Sequence, residues 1–256
     1  MRMAGLLEVC ADSVGSAVNA ARGGADRIEL CSALPLGGLS PDEDLFCTVR
    51  ERVDIPVRVL LRPRAGDFLY DEDEFELLCR QASRFAGLGA DGIVIGMLNP
   101  DGTLDAERMS ALMACGDGCG VTLHRAFDVC RDAHEALRTA KKLGVDTILT
   151  SGQQARCADG APLLRELVSE SGEGLRILIG GGVNADVIRA LAPQTGADAF
   201  HLSAKAAVPS GMEFRRENVP MGIPGLNEFE LLRCDAASVR AAREALDAVC
   251  TARKEN

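Results

Sequence analysis

Hydrophobic and polar positions along this chain follow one plan four times. An Ala/Leu-rich, helix-like run leads into a Gly-Ala-Asp or Gly-Val-Asp phrase, and a short apolar run follows. The phrases are Gly24-Ala25-Asp26, Gly89-Ala90-Asp91, Gly144-Val145-Asp146 and Gly196-Ala197-Asp198, and the runs after them are RIELC, GIVIG, TILTS and AFHLS. Glycine suits the position just past a helix end, where φ is often positive, so each phrase predicts a helix-to-strand turn. The copies are spaced for about two βα units each, which predicts eight strands and a closed (β/α)8 TIM barrel of the α/β class.

Strands are expected at 6–10, 27–31, 57–62, 92–96, 121–124, 147–151, 175–180 and 199–203. Helical stretches lie between them, among them 13–22, 74–87, 133–143, 161–169 and 185–192, and a last helix at 236–249 closes the ring. Strand–helix alternation implies a parallel sheet. The joint before the third strand, Val53-Asp54-Ile55-Pro56, departs from the plan with a proline. Aligning the four copies also separates the faces of the sheet. Ile28, Ile93, Ile148 and Phe200 share one position, and Leu30, Ile95, Thr150 and Leu202 another; both are expected to face the helices. The alternate positions hold Glu29, Val94, Leu149 and His201, then Cys31, Gly96, Ser151 and Ser203, and are expected to face the barrel axis. In the odd strands the same alternation turns Glu8, Cys10, Arg62, Thr122 and His124 inward. The C-terminal mouth is therefore expected to be polar, and in barrel enzymes that face carries the chemistry.

The length of 256 residues is close to the roughly 250 of such a barrel, so one domain spanning 1–256 is expected. A long loop is expected at about 205–230; its part 210–228 mixes charged and apolar residues, which suits a lid, a subunit contact or a disordered insertion. The net charge of −10 argues against a nucleic-acid partner. No apolar run reaches the about 18 residues of a membrane span, and MRMAGLLEVC lacks the apolar centre of a secretory signal. The ten cysteines are accordingly expected to stay reduced in a cytoplasmic protein. Cys47, Cys79, Cys130 and Cys250 lie in helix-like stretches and are expected to pack.

Four constellations are candidates for chemistry. Glu8-Val9-Cys10 and Glu29-Leu30-Cys31 sit on neighbouring strands and bring two thiols and two carboxylates to the mouth. Thiolates are soft ligands for Cu(I) or Zn, but small buried cysteines are also common core residues. Leu61-Arg62-Pro63-Arg64-Ala65-Gly66-Asp67-Phe68 ends a strand in two Arg flanking a rigid Pro. Such guanidinium forks bind carboxylate or phosphate, and Arg62 could equally neutralise Glu8 or Glu29. In Thr122-Leu123-His124-Arg125-Ala126-Phe127-Asp128, His124 is placed as a general acid/base with Asp128 to orient it, or as a core histidine bonded to its neighbours. His201 ends the eighth strand in the same way, while His134 is expected on a solvated helix face. Gly180-Gly181-Gly182 after the seventh strand suits either a phosphate cradle or a tight turn.

With these phrases in place, the chain resembles the copper homeostasis protein CutC family. The likeness runs from LLEVCADS to the 214–221 segment. It is carried by EVCADSVGSAVNAARGGADRIELCS, IPVRVLLRPRAGDFLY, VTLHRAFD, ILTSGQ, GGGVN and the H-x-S-A of His201 to Ala204. Ala65 departs from the family pattern, which has Gly there. The resemblance implies a (β/α)8 fold, a cytosolic location, homo-oligomers and a role with Cu(I), for which Cys10 and Cys31 match the family's copper ligands. Two functions stay open. One is a copper-binding homeostasis protein. The other is a barrel enzyme acting on a small anionic metabolite, possibly phosphorylated, with Arg62 holding the anion, His124 moving a proton and Glu8 or Glu29 as its partner. Arg64, Asp67, Arg125, Asp128, Gly180 to Gly182, His201 and Ser203 would complete that site.

Overall fold

The computed structural model describes residues 5–216, 219, 222 and 227–255. Eight parallel strands close into a barrel in sequence order: β1 (Leu6–Ala11), β2 (Arg27–Leu30), β3 (Val57–Leu60), β4 (Gly92–Ile95), β5 (Gly120–Leu123), β6 (Thr147–Thr150), β7 (Arg176–Ile179) and β8 (Ala199–Leu202). Around them run α1 (Val14–Gly23), α2 (Glu43–Arg50), α3 (Glu72–Gly87), α4 (Ala106–Cys115), α5 (Ala133–Leu143), α6 (Ala161–Ser171), α7 (Ala185–Thr195) and α8 (Ala236–Glu255). The fold is the expected (β/α)8 barrel. Among the described residues no helix is long and apolar enough to cross a membrane.

The register follows the repeat. Ile28, Ile93, Ile148 and Phe200 are fully buried in the large core between sheet and helices. Inside the barrel, Cys31, Leu60 and Val94 form one apolar cluster, and Leu149, Leu178 and Ala199 another. The four repeat glycines all take positive φ, at +94°, +86°, +81° and +78°. A side chain there would be strained, which explains the residue type.

The aspartates of the repeat have a separate reason that the pattern alone did not reveal. Asp26 accepts a hydrogen bond from the Leu7 amide, Asp91 from Val57 and Asp146 from Val121, at 2.7–2.8 Å. Each side chain thus fixes the start of the odd strand before it. The main-chain carbonyls of Asp91, Asp146 and Asp198 accept from the amides of Gly120, Arg176 and Leu6, the starts of the strands on the other side. Ile28 pairs with Val57, so the equivalent residue opposite Arg27 is Pro56, which has no N–H to give. The proline joint is where this latch loses its main-chain half.

After β8 the expected loop at 205–230 opens and closes in secondary structure. β9 (Lys205–Pro209) and β10 (Glu230–Cys234) pair as an antiparallel ribbon. Between them, 217–218, 220–221 and 223–226 lie outside the described residues, as does Met221 of the resemblance. Val208, Met212 and Phe214 are exposed on this excursion.

Candidate functional site

The polar groups of the mouth form three separate clusters. The first joins β1, β2 and β8. Glu8 is fully buried and accepts from Arg27 Nε at 2.5 Å; its other oxygen meets His201 Nδ1 at 2.7 Å. Glu29 completes the group, so that one ligand atom from each of Glu8, Glu29 and His201 lies within 4.8 Å of the others. Burial pushes the Glu8 carboxyl up, but Arg27 and His201 outweigh it and hold it at about 2. Glu29 lacks such a partner. Burial raises it to about 7, only partly opposed by His201, and its Oε2 has no hydrogen-bond partner. For His201 burial disfavours the cation, yet Cys10, Glu29 and Glu8 beside it lift its pKa well above the usual value.

Both candidate copper ligands border this cluster. Cys10 stands against the His201 ring and is 6 % exposed. Cys31 is wholly buried against Leu34, Leu60 and Val94, and its thiol points to the Ala11 carbonyl at 3.6 Å. Burial, then the proximity of Cys10, pushes the Cys31 thiol strongly up. All ten cysteines are free thiols. Cys130, expected in a helix, instead follows the 3-10 turn Arg125–Val129 and is buried there.

The second cluster contains Arg62 and His124, and here two expectations are corrected. Arg62 does not neutralise Glu8 or Glu29; Arg27 pairs with Glu8 instead. Arg62 donates instead to the carbonyls of Leu36, Gly38 and Gly66 at 2.8–3.3 Å, pinning the loops after β2 and β3. Its guanidinium lies over the Phe68 ring, 5.1 Å from the centroid, and that ring packs on His124 with centroids 4.9 Å apart. Nor does Asp128 orient His124. The His124 Nδ1 accepts from the Ala126 amide at 3.1 Å, and the buried Nε2 has no partner. Burial, reinforced by the Arg62 charge, lowers His124 to about 3, so the ring is neutral. No hydrogen bond or ion pair among the described residues links this cluster to Glu8, Glu29 or His201. Arg64 and Asp67 lie in the β3–α3 loop as a 3.0 Å ion pair, with Arg64 also on Glu74 at 2.5 Å.

The wall behind His124 is Gly96. A Cβ there would lie 2.5 Å from the His124 ring and 2.9 Å from Ala126 Cβ. Gly96→Ala is therefore expected to destabilise the protein by about 1–3 kcal/mol through overpacking. A melting curve superimposable on the wild type would show that the ring is free to move aside.

The third cluster lies over β5 to β7. Asp128 accepts from Thr150 Oγ1, from the amides of Ser151 and Gln153, and from Arg125 Nε at 2.6 Å. It folds the turn after β6 and fixes Arg125 beside Ser151, which receives its Nη2 at 2.8 Å. Gly181 adjoins both, since a Cβ there would touch Ser151 and the Arg125 guanidinium at 3.0 and 3.7 Å. Thus Arg125, Asp128, Ser151 and the glycine turn Gly180 to Gly182 do come together. Ser203 lies just past β8, half-buried at the rim. His134 is on α5 in an exposed pair with Glu170, at 3.0 Å.

The residue missed by sequence reading is Arg27. It stands two positions before Glu29 on the same strand face, and one further step of the alternation points to it.

Comparison with known proteins agrees with this geometry. A profile of the CutC family matches residues 5–206. The human copper homeostasis protein cutC homolog is 44 % identical over 237 residues, covering 92 % of this chain and 86 % of that protein. A CutC family protein of Bacteroides fragilis is 45 % identical over 218 residues, covering 85 % and 87 %. The crystal structure of CutC from Streptococcus agalactiae superposes with a TM-score of 0.74 at 26 % identity, over 78 % of this chain and 98 % of that one. With a family profile matching residues 5–206 and relatives above 40 % identical over most of its length, the chain belongs to the CutC family.

Proposed function

We propose that the protein handles copper and takes up Cu(I) at the mouth of the barrel, through Cys10 and Cys31. The observation that carries this reading is the company Cys10 keeps. Cys10 lies against the His201 ring, on the strand that pairs with the one leading to Cys31, which brings soft sulfur and imidazole donors to one side of the mouth. Such a set fits Cu(I) better than a hard divalent ion, which prefers oxygen. A thiol gives up its proton when copper binds. The apolar pocket of Cys31 opposes a free thiolate but not a metal-bound one, and the His201 cation offsets the charge left on Cys10. Reduced thiols throughout suit the cytoplasm, and the exposed apolar side chains of the β9–β10 excursion suit self-association.

Competition of reduced protein against a Cu(I) chelator tests the site. Wild type should bind one equivalent, and the Cys10→Ser/Cys31→Ser double variant should bind at least about 100-fold more weakly for want of soft donors. Equal affinity in the two proteins would remove these cysteines from the reading.

A second reading rests on Glu29. A buried carboxyl held near 7 beside a charged histidine is poised for acid–base work near neutral pH. It favours an enzyme acting on a small anionic metabolite, with Arg125 and the Gly180 to Gly182 turn at the same mouth. Stabilisation of the wild type by a member of an anionic metabolite panel, lost in Arg125→Gln, is the result that would favour it over copper.

A further inference from the structure

The opposite end of the barrel holds a cavity of about 630 Å³. Its walls come from the starts of β1, β2, β3, β6 and β7 and from the ends of α6 and α8. The protein carries a net charge of −10, yet four guanidinium groups line this cavity: Arg27, Arg58, Arg176 and Arg253. Two carboxylates, Asp146 and Asp198, line it with them.

These charges do not cancel one another. Arg58 and Asp146 are fully matched, through two bonds of 2.7 and 3.0 Å. Asp198 comes no nearer to Arg176 than 3.6 Å, beyond hydrogen-bond distance, and among the described residues the Arg176 guanidinium makes no hydrogen bond. Arg253 has no carboxylate among the described residues; it donates to the carbonyls of Ala192, Gly196 and Ala197. Arg27 is 8 % exposed, and although its Nε holds Glu8, its Nη2 has no hydrogen-bond partner. Buried donors are paired as a rule, and a guanidinium left partly unpaired at a cavity wall lacks an acceptor.

We propose that this cavity is a binding site for a phosphate-bearing small anion, recognised by Arg27, Arg176 and Arg253. Guanidinium forks match the oxygens of a phosphoryl group bidentately. The apolar side chains between them, such as Leu6, Leu175 and Ile177, lower the local dielectric and strengthen that attraction. The volume exceeds that of inorganic phosphate and falls in the range of small-molecule sites, about 300–1,000 Å³. A phosphate ester or a diphosphate therefore fills it better than phosphate alone. The site stands apart from the copper reading, but it shares Arg27 with Glu8, so one cation serves both ends of the barrel.

Calorimetric and phosphorus NMR titrations of the full chain with inorganic phosphate, pyrophosphate and ribose 5-phosphate test this, at fixed ionic strength made up with chloride. Saturable binding at one site is expected, with pyrophosphate or ribose 5-phosphate tighter than phosphate. The tighter of the two separates a diphosphate site from a phosphate-ester site. Arg176→Gln should weaken binding about tenfold while melting near the wild-type temperature, Arg253→Gln should weaken it similarly but melt lower for the three carbonyls it gives up, and Arg27→Met should lose it. Absence of saturation with all three probes overturns the proposal. So does binding that is unchanged in both Arg176→Gln and Arg253→Gln, because those two variants leave Glu8 its partner.

Discussion

Replacing Glu8 with Gln should lower the melting temperature by roughly 10 °C, the equivalent of about 3–5 kcal/mol. The substitution keeps the shape and removes one charge. That charge is the counterion of Arg27 at 2.5 Å and of His201 at 2.7 Å, in a residue with no exposed surface. Without it two cations face each other in the barrel, and breaking one side of a buried pair costs far more than the pair contributes when intact. Arg27→Met relieves part of that repulsion. The double variant Glu8→Gln/Arg27→Met should accordingly fall short of the sum of the single effects by more than about 1 kcal/mol. Calorimetry of the four proteins at pH 7 closes the cycle. A Glu8→Gln melting temperature within a degree or two of the wild type would mean that the centre is hydrated and the ion pairs weak.

Acidification should destabilise the protein through His124. The folded ring has its pKa lowered to about 3, whereas the unfolded one titrates at 6.5. Between those values the unfolded chain binds the proton and the folded chain does not, so stability rises with pH. The contribution is complete above pH 6.5 and is lost as the pH falls towards 3. From pH 7 to pH 5 the loss is about 2 kcal/mol. Glu29 works with the opposite sign: raised from 4.5 to about 7, it contributes most below 4.5 and loses that contribution as the pH climbs through 7. His201, whose pKa is also raised, acts in the same sense as Glu29, so wild type alone shows only the net of opposing trends. Urea titrations of wild type and His124→Asn across pH 5 to 7 separate them, since the variant lacks one trend and keeps the other. Parallel stability curves would show that the ring is accessible to protons in the folded state.

Much of this arrangement is legible in the repeat. Its glycines locate the helix ends, its apolar positions give the register, and the register places Glu8, Glu29 and His201 on one axis. What is not legible is partnership. Arg62 carries a charge that invites a carboxylate, but its partners are the carbonyls of Leu36, Gly38 and Gly66. Every residue type has a carbonyl, so loop contacts of this kind leave no mark in composition. Asp128 follows His124 closely in sequence, yet the turn after β6 offers it the amides of Ser151 and Gln153. Those unsatisfied donors outcompete a neutral ring. Helices α2 and α4 are not marked by the repeat because they lead into the odd strands β3 and β5, whereas the repeated phrase precedes only the even ones. The ribbon of β9 and β10 was hidden for a different reason. Its burial pattern is almost wholly exposed, so neither strand shows the alternation that burial imposes.

The aspartate latches bear on how such a barrel assembles. Parallel sheets fold slowly because each pairing must first close a long loop. The side-chain latches span only 19, 34 and 25 residues, so each joins strands that are neighbours in both sequence and space. They divide the chain into local units that can order before the ring closes. The final seam is different. Leu6 bonds to the Asp198 carbonyl, tying the first strand to the last, and β7 meets β8 through a single registered pair, Ile179 with Phe200. Cooperativity of the whole ring thus hinges on its fourth quarter, where the last latch holds the first barrel strand to the eighth.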